Sequence, residues 1–250
     1  MRNFWKRTNR GLILAGVLIA GTACYVGFDY LRFTNGKKDM EKLLEDYCKE
    51  LSASVVLPKD KADYSYTLSD EEKKAYSTLI QDTVRKYWSE PKDINTDDYF
   101  VKSDILTFCA DAAAGNSVGK IYEYNINASN LKFKKNGSGA ALFSMNVSYK
   151  VMSTGSCFIP TLSNSYYVTV QSSQSAIDFP YDSDEIMTKD TDAVDDKENN
   201  SDEYKGDLSS TATIPVDGEL IYVDGAWKIN YINYSYLGDD FNTVPVKGGN

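Results

Sequence analysis

Carboxylates, tyrosines and lysines are the side chains of this 250-residue chain that could carry out acid–base chemistry, because the sequence contains no histidine. A Ser-His-Asp triad, a Cys-His dyad and a histidine-ligated zinc or iron site all need imidazole and are therefore excluded. An enzyme would depend on groups with shifted pKa values, and no spacing in the sequence marks such a group. We predict that the protein is not an enzyme and has no catalytic residue, cofactor site or metal site.

The densest set of carboxylates lies in residues 182–207, where 11 acidic residues accompany three lysines. Calcium prefers oxygen ligands of this kind. The residues with the closest spacing are Asp190, Asp192, Asp195, Asp196 and Glu198. They do not match an EF-hand loop, since Val194 stands at the third ligand position and Asp195 where glycine is needed. We therefore predict a solvated acidic insertion within the fold, with calcium binding as the alternative.

The rest of the chain is almost neutral, because 25 of the 36 acidic residues and 24 of the 27 basic residues lie outside this insertion. Neither part has the clustered basic charge that nucleic-acid binding requires. We expect no nucleic-acid partner.

An uncharged, largely apolar run covers residues 11–28 and ends at Asp29. At about 1.5 Å per residue its 18 residues span roughly 27 Å, close to the thickness of a bilayer core of about 30 Å. Residues 1–10 carry four basic residues and no acidic one. The positive-inside rule then places residues 1–10 in the cytoplasm and the chain from about residue 30 on the other side. We predict a single-pass cell-membrane protein with its C-terminal domain outside the cytoplasm.

Three interpretations of this segment place the remaining chain outside the cytoplasm. The first is a retained membrane anchor, which we prefer; the second is a cleaved secretory signal. The third is a lipoprotein signal ending at Cys24, although Gly21-Thr22-Ala23 matches a lipoprotein box poorly. A buried core helix fits less well, because the flanking charge is on one side only.

Three cysteines, Cys48, Cys109 and Cys157, lie beyond the apolar run at wide spacing. No pair resembles a metal site or a redox CxxC motif. Cys109 and Cys157 could form a disulfide in an oxidising compartment. The preferred interpretation is that all three are small buried apolar residues.

Helical spacing dominates the first half of the chain after a joint at residues 29–37. Apolar residues three and four apart predict an amphipathic helix over 38–54. Ser69 and Glu72 form a capping box that predicts a second helix with Leu79 and Ile80 facing inward, which ends before Pro91. A shorter third helix is predicted over 103–113.

After Gly119 the apolar period changes from 3.6 to 2, which predicts antiparallel strands joined by tight turns. A phase shift within the last strand indicates a bulge. Helices followed by strands make the chain an α+β protein, one domain over 38–240 with a flexible tail at 241–250. The predicted strands are 121–129, 131–135, 141–152, 165–171, 208–216, 219–223 and 226–236, with turns at 136–137, 217–218 and 224–225.

The closing hairpin, Leu220-Ile-Tyr-Val-Asp-Gly-Ala-Trp-Lys-Ile229, resembles the ending of nuclear-transport-factor-2-like (NTF2-like) domains, in a membrane-anchored bacterial form. The resemblance covers roughly residues 40–236. It implies two or three helices packed on a curved antiparallel sheet of five or six strands, in the shape of a cone. Enzymes of this fold place an Asp or Tyr in the cone, so the resemblance makes Asp104 and Asp111 the first positions to inspect.

Eight tyrosines on predicted strands could line a ligand pocket or form a partner surface, although tyrosine also packs well in ordinary sheets. They are Tyr122, Tyr124, Tyr166, Tyr167, Tyr222, Tyr231, Tyr234 and Tyr236. We expect a membrane-anchored, non-catalytic interaction module that binds a protein partner in the cell envelope. A cell-surface domain that binds a small ligand is the alternative. The basic head, single span and outer cone also resemble inner-membrane assembly factors of type IV secretion and conjugation machines.

Overall fold

The structure is a computed structural model that describes residues 10–58, 60–63, 65–89, 119–155, 157–162, 167–170, 175–176, 207–234 and 242–245. Three helices precede the strands along the chain, and the longest strands form one antiparallel sheet. The predicted α+β class is therefore confirmed. The predicted short helix at 103–113 and the acidic insertion up to residue 206 lie outside the described residues.

The first two helices follow each other almost without interruption. Helix α1 covers Arg10–Asn35, and α2 covers Lys37–Val55. The backbone hydrogen bonds of a helix continue across the break, from Gly36 N–H to the carbonyl of Arg32 (2.8 Å) and from Met40 N–H to the carbonyl of Gly36 (2.9 Å). Residues 29–35, assigned to the joint from the sequence, are therefore helical, and the break is reduced to Gly36.

Helix α3 covers Asp70–Tyr87 and begins as its sequence indicates. The Ser69 hydroxyl accepts from the Glu72 N–H, and the Glu72 carboxylate accepts from the Ser69 N–H. Leu79, predicted to face inward, is instead exposed. At 100° per residue Leu79 lies roughly 90° from the centre of the buried stripe, so it falls at the edge of the packed face.

The main sheet has the order β1-β2-β6-β7, with β8 also paired to β6. All of its pairings are antiparallel. A second sheet has the order β3-β4-β5. The strands are β1 Ile121–Lys135, β2 Ala140–Ser153, β3 Cys157–Pro160, β4 Tyr167–Val170, β5 Ser175–Ala176, β6 Leu208–Val223, β7 Ala226–Tyr234 and β8 Asn242–Pro245.

The predicted turn at 217–218 is wrong, because β6 runs straight through it. Gly218 pairs with Phe143 on β2 and with Ile232 on β7. A Cβ on Gly218 would lie 2.4 Å from the Tyr231 carbonyl oxygen and 2.5 Å from Cζ of Phe143. Glycine is thus needed here because the neighbouring strands approach closely, and it does not end the strand.

Other irregularities follow the sequence more closely. The register of β6 against β7 shifts between Glu219 and Leu220, which leaves Asn230 as the extra residue of β7 and confirms the predicted bulge. Asp224 and Gly225 have φ values of 52° and 88°, as a tight hairpin turn requires. The two strands predicted at 121–129 and 131–135 form the single strand β1, with a register shift near Asn130.

The core lies between α2, α3 and one face of the main sheet. Alternate residues of β2 and β6 are buried, such as Val147 opposite Ile214, whereas Ser148 and Thr213 lie on the other face. Residues Asn242–Pro245, assigned to a flexible tail from the sequence, form β8 because they pair with the first residues of β6, Leu208–Thr211.

Candidate functional site

Buried tyrosines occupy the space between the helices and the sheet. The hydroxyl of Tyr47 donates to the Leu162 carbonyl (2.8 Å), and that of Tyr124 donates to the Pro160 carbonyl (2.5 Å). The hydroxyls of Tyr149 and Tyr234 are hydrogen bonded to each other (2.8 Å). These tyrosines therefore hold the backbone around residues 160–162 against the sheet, and the described part of the cone interior is packed with side chains.

Burial disfavours ionisation of these tyrosines. It raises the pKa of Tyr47, Tyr124 and Tyr149 far above the usual range, so their hydroxyls stay protonated and act as hydrogen-bond donors. Among the described residues, Asp29 is the one buried carboxylate, and it lies on α1. The buried Tyr87 does have a carboxylate beside it, that of Glu50, which is partly exposed and is ion paired with Lys86.

Two of the cysteines are buried free thiols, as the preferred interpretation predicted. Cys48 and Cys157 are each 3% exposed. Burial raises the pKa of both thiols to about 12, so neither is a reactive thiolate at neutral pH. Because Cys157 is free, the alternative of a disulfide with Cys109 is not formed in this structure; Cys109 itself lies outside the described residues.

An open groove of about 840 Å³ runs between α2 and strand β1. Its wall on α2 includes Cys48, Lys49, Ser52 and Ala53, and residues 124–128 form the opposite wall. The Ser52 hydroxyl accepts from the Ile126 N–H (3.0 Å), which ties the helix to the edge of β1. Because β1 is an edge strand and the groove mixes apolar and polar groups, it suits a peptide segment or a small amphipathic ligand.

A second cleft, of about 530 Å³, lies between α2 and the β6–β7 hairpin. Tyr222 and Trp227 meet edge to face there, with ring centroids 5.4 Å apart. Four charged groups at its rim form ion pairs, since Lys86 bonds Glu50 (2.6 Å) and Lys42 bonds Asp46 (2.6 Å). These ion pairs and the aromatic contact stabilise the packing of α2 against the hairpin, so they give the cleft a structural role.

The most specific polar cluster of the described residues joins the end of α1 to the β1–β2 hairpin. Asp29 is 7% exposed and is ion paired with Lys135. Its carboxylate also accepts from the Gly139 N–H (2.9 Å), and the Arg32 guanidinium lies 3.9 Å from it. One helical turn earlier, the Tyr25 hydroxyl is hydrogen bonded to Ser138 (2.6 Å). We call Tyr25, Asp29, Lys135, Ser138 and Gly139 the α1 clamp.

The clamp extends to the second hairpin at the same end of the sheet. The Arg32 guanidinium lies over the Tyr222 ring, 4.8 Å from its centroid. Gly36 contacts the Trp227 indole so closely that a Cβ would lie 2.4 Å from Nε1. The Tyr222 N–H donates to the Gly139 carbonyl (2.7 Å), which ties the two hairpins together. Helix α1 is thus held against the domain from Tyr25 to Gly36.

Beyond the clamp, α1 exposes apolar side chains to its surroundings. The span Ile13–Asn35 is long and apolar enough to cross a membrane, and its most apolar stretch of 18 residues is almost entirely exposed. Leu18 is 63% exposed and Phe28 71%. In the described remainder of the chain, the large apolar side chains that are exposed are Leu79 and Tyr231.

The sequence-predicted candidates are only partly brought together. Tyr124 is buried, whereas Tyr122, Tyr222 and Tyr234 are half-buried and Tyr231 is exposed. The buried cluster also contains Tyr47 and Tyr149, which are not among the eight strand tyrosines named from the sequence. The helical spacing of α2 and the alternation along β2 predict that both face inward. Outside the described residues lie Asp104, Asp111, Tyr166, Tyr236 and the residues proposed as calcium ligands, and of Tyr167 only the backbone is described.

No family model matches this chain, and no curated protein matches its sequence. Among the solved structures that resemble it are two that bear the names of enzymes. A candidate scytalone dehydratase from Novosphingobium aromaticivorans has 10% identity and a TM-score of 0.32, over 85% of this chain and 88% of that one. A hexachlorocyclohexane dehydrochlorinase (LinA) of type 2 has 10% identity and a TM-score of 0.29, over 84% of this chain and 94% of that one.

The architecture of this chain agrees with the predicted NTF2-like cone. Because both similar proteins bear the names of enzymes, the prediction that this protein is not an enzyme is contradicted, and we do not retain it. The likeness assigns no activity to this chain.

Proposed function

We propose that the protein is a single-pass membrane protein whose α+β domain stands outside the cytoplasm and binds a protein partner of the cell envelope. The observation that carries this proposal is the combination of exposed apolar side chains on α1 with the α1 clamp. Helix α1 is about 39 Å long, and the apolar side chains along most of it contact no other part of the protein. Such a surface is stable in the hydrocarbon region of a membrane. The clamp then fixes how the domain stands on that helix.

The basic residues before the apolar run support the outward orientation of the domain. The groove between α2 and β1 supports partner binding, because an edge strand beside a helix accepts an extended peptide through main-chain hydrogen bonds. An assembly role in a secretion or conjugation complex is the specific form of this proposal. Binding of a small ligand in the same groove is the second candidate, favoured by the groove volume of about 840 Å³.

Membrane extraction tests the anchor. The full chain should stay in the membrane pellet at alkaline pH, whereas a Leu14→Arg/Leu18→Arg variant should be extracted, since two arginines within the apolar run oppose insertion. Both leucines are exposed, so the soluble domain should fold in either protein. Extraction of the unmodified chain would contradict the proposal.

Reporter fusions at the C-terminus test the orientation. Alkaline phosphatase, which needs an oxidising compartment, should be active, and a cytoplasm-dependent fluorescent protein should be dark. The reverse pattern would contradict the extracytoplasmic placement.

A photo-crosslinking residue at Lys49 separates the two binding candidates, because Lys49 is exposed and lines the groove. A protein partner predicts one discrete protein adduct in intact cells, and a small ligand predicts none. Lys74 on α3, also exposed, is the matched position where no adduct is expected.

A further inference from the structure

The turn between β1 and β2 lies beside the last turns of the apolar run of α1. The Tyr25 hydroxyl contacts Ser138 at 2.6 Å, and Gly139 donates to Asp29 at 2.9 Å. Tyr25 precedes Phe28, the last residue of the apolar run, by three residues. At 1.5 Å per residue, the Tyr25 Cα lies about 4.5 Å inside the end of that run, and Asp29 lies just past it, so the turn lies beside the end of the run.

If α1 crosses a bilayer, the turn between β1 and β2 lies close to the membrane surface. Asn136, Gly137 and Ser138 are exposed, and a tight turn leaves polar backbone groups that need hydrogen-bond partners. Such groups are not tolerated in the hydrocarbon region but are satisfied among headgroups and water. The hairpin tip must therefore reach the headgroup layer, and the outer boundary of the hydrocarbon lies near the end of the apolar run.

The charge of the hairpin suits anionic headgroups. Lys132 and Lys134 are exposed and, being two residues apart on β1, lie on the same face. Lys135 is ion paired with Asp29, and Glu219 accepts from the Asn136 amide (2.5 Å). With Arg32 included, four basic groups accompany two acidic ones around the tip.

We propose that residues 132–139 form a contact site for anionic phospholipid headgroups, in which Lys132 and Lys134 face the lipid phosphates. This inference rests on the proposed membrane anchoring and adds to it a second, peripheral attachment of the domain. Two attachments, the helix and the hairpin, would hold the domain against the membrane surface.

The test uses the full chain in vesicles of phosphatidylcholine with phosphatidylglycerol, with Cys24 and Cys109 replaced by alanine. A fluorophore is attached to Asn136→Cys or, as the matched control, to Asn125→Cys. Both asparagines are exposed, and 11 residues of extended chain place them about 35 Å apart. Lipids with a nitroxide near the headgroup should quench the label at 136 and leave the label at 125 unquenched.

The lipid preference tests the two lysines. For the label at 136, nitroxide-labelled phosphatidylglycerol should quench more than nitroxide-labelled phosphatidylcholine. In the Lys132→Glu/Lys134→Glu variant this preference should be lost, because removal of each lysine charge alone is worth about fivefold. A Lys49→Glu/Lys74→Glu variant changes the net charge equally on α2 and α3 and should retain the preference.

The outcomes of these experiments distinguish the headgroup contact from the membrane anchor on which it rests. A chain that does not float with the vesicles would overturn the membrane anchor, and both proposals with it. A chain that floats while its label at 136 stays unquenched would overturn the headgroup contact alone. Equal quenching by the two lipids, in the unmodified lysine background, would overturn the selectivity for anionic headgroups.

Discussion

The ion pair between Asp29 and Lys135 should contribute more to stability than a surface ion pair of the same sheet. The Asp29 side chain is 8% exposed and the Lys135 side chain 26%. Removing one partner of a fully buried pair costs about 3–5 kcal/mol. Because Lys135 is one-quarter exposed, water screens part of its charge, and we expect Asp29→Asn to lower the free energy of unfolding by about 1–3 kcal/mol.

A double-mutant cycle isolates the pair. Asp29→Asn, Lys135→Met and the double variant are unfolded by urea in detergent micelles, with tryptophan fluorescence as the signal, since buried Trp227 lies beside the clamp. We expect a coupling energy of about 1–3 kcal/mol, because the double variant leaves no buried charge unpaired.

The matched control is the ion pair of Glu123 on β1 with Lys150 on β2. Their charged groups are 2.8 Å apart, and the side chains are 41% and 52% exposed. The cycle of Glu123→Gln and Lys150→Met should give about 0.2–1 kcal/mol. If the two cycles gave equal coupling energies, the clamp would be no stronger than a surface contact, and the fixed junction between α1 and the domain would be refuted.

Three further predictions concern the domain itself. Gly218→Ala should lower the free energy of unfolding by about 1–3 kcal/mol, measured in the same urea titration, because the new Cβ has no room between the neighbouring strands. The pKa of Glu72 is lowered from 4.5 to about 2, mainly by its bond to a lysine, so its stabilisation is complete above pH 4.5 and lost as the pH falls towards 2. Glu72→Gln should therefore lose less stability over this pH window than the unmodified chain or the exposed Glu71→Gln variant. Cys48 and Cys157 should react with a thiol reagent only after unfolding; reaction of either in the folded protein would contradict their burial.

Local patterns in the sequence are sufficient to predict the helices and strands that bury one face. The helical spacing of α2 placed Met40, Leu44 and Leu51 in the core, and the period of two along β2 did the same for Val147. The capping box at Ser69 identified the start of α3. In each case the signal lies within a few residues, so it survives without knowledge of distant contacts.

Features that depend on distant neighbours could not be predicted in this way. Gly218 follows an aspartate, which is a common turn sequence, yet its role depends on Phe143 and Tyr231, 75 and 13 residues away in the chain. Asp29 was interpreted only as the polar end of an apolar run. Its partner Lys135 lies 106 residues later, and no local pattern indicates that pairing.

The clamp and the helical hydrogen bonds across Gly36 together give the domain a defined position relative to α1. Because the ladder continues from α1 into α2, the domain is not suspended on a free linker at this point. Lys49 and Ser52 in the groove follow Gly36 by 13 and 16 residues, which corresponds to about 20–24 Å along the helix. Since the turn between β1 and β2 is held beside Tyr25, the proposed membrane anchoring would place a partner in this groove at a set height above the bilayer. Such a constraint suits a protein that positions a partner more than one that searches for it on a flexible tether.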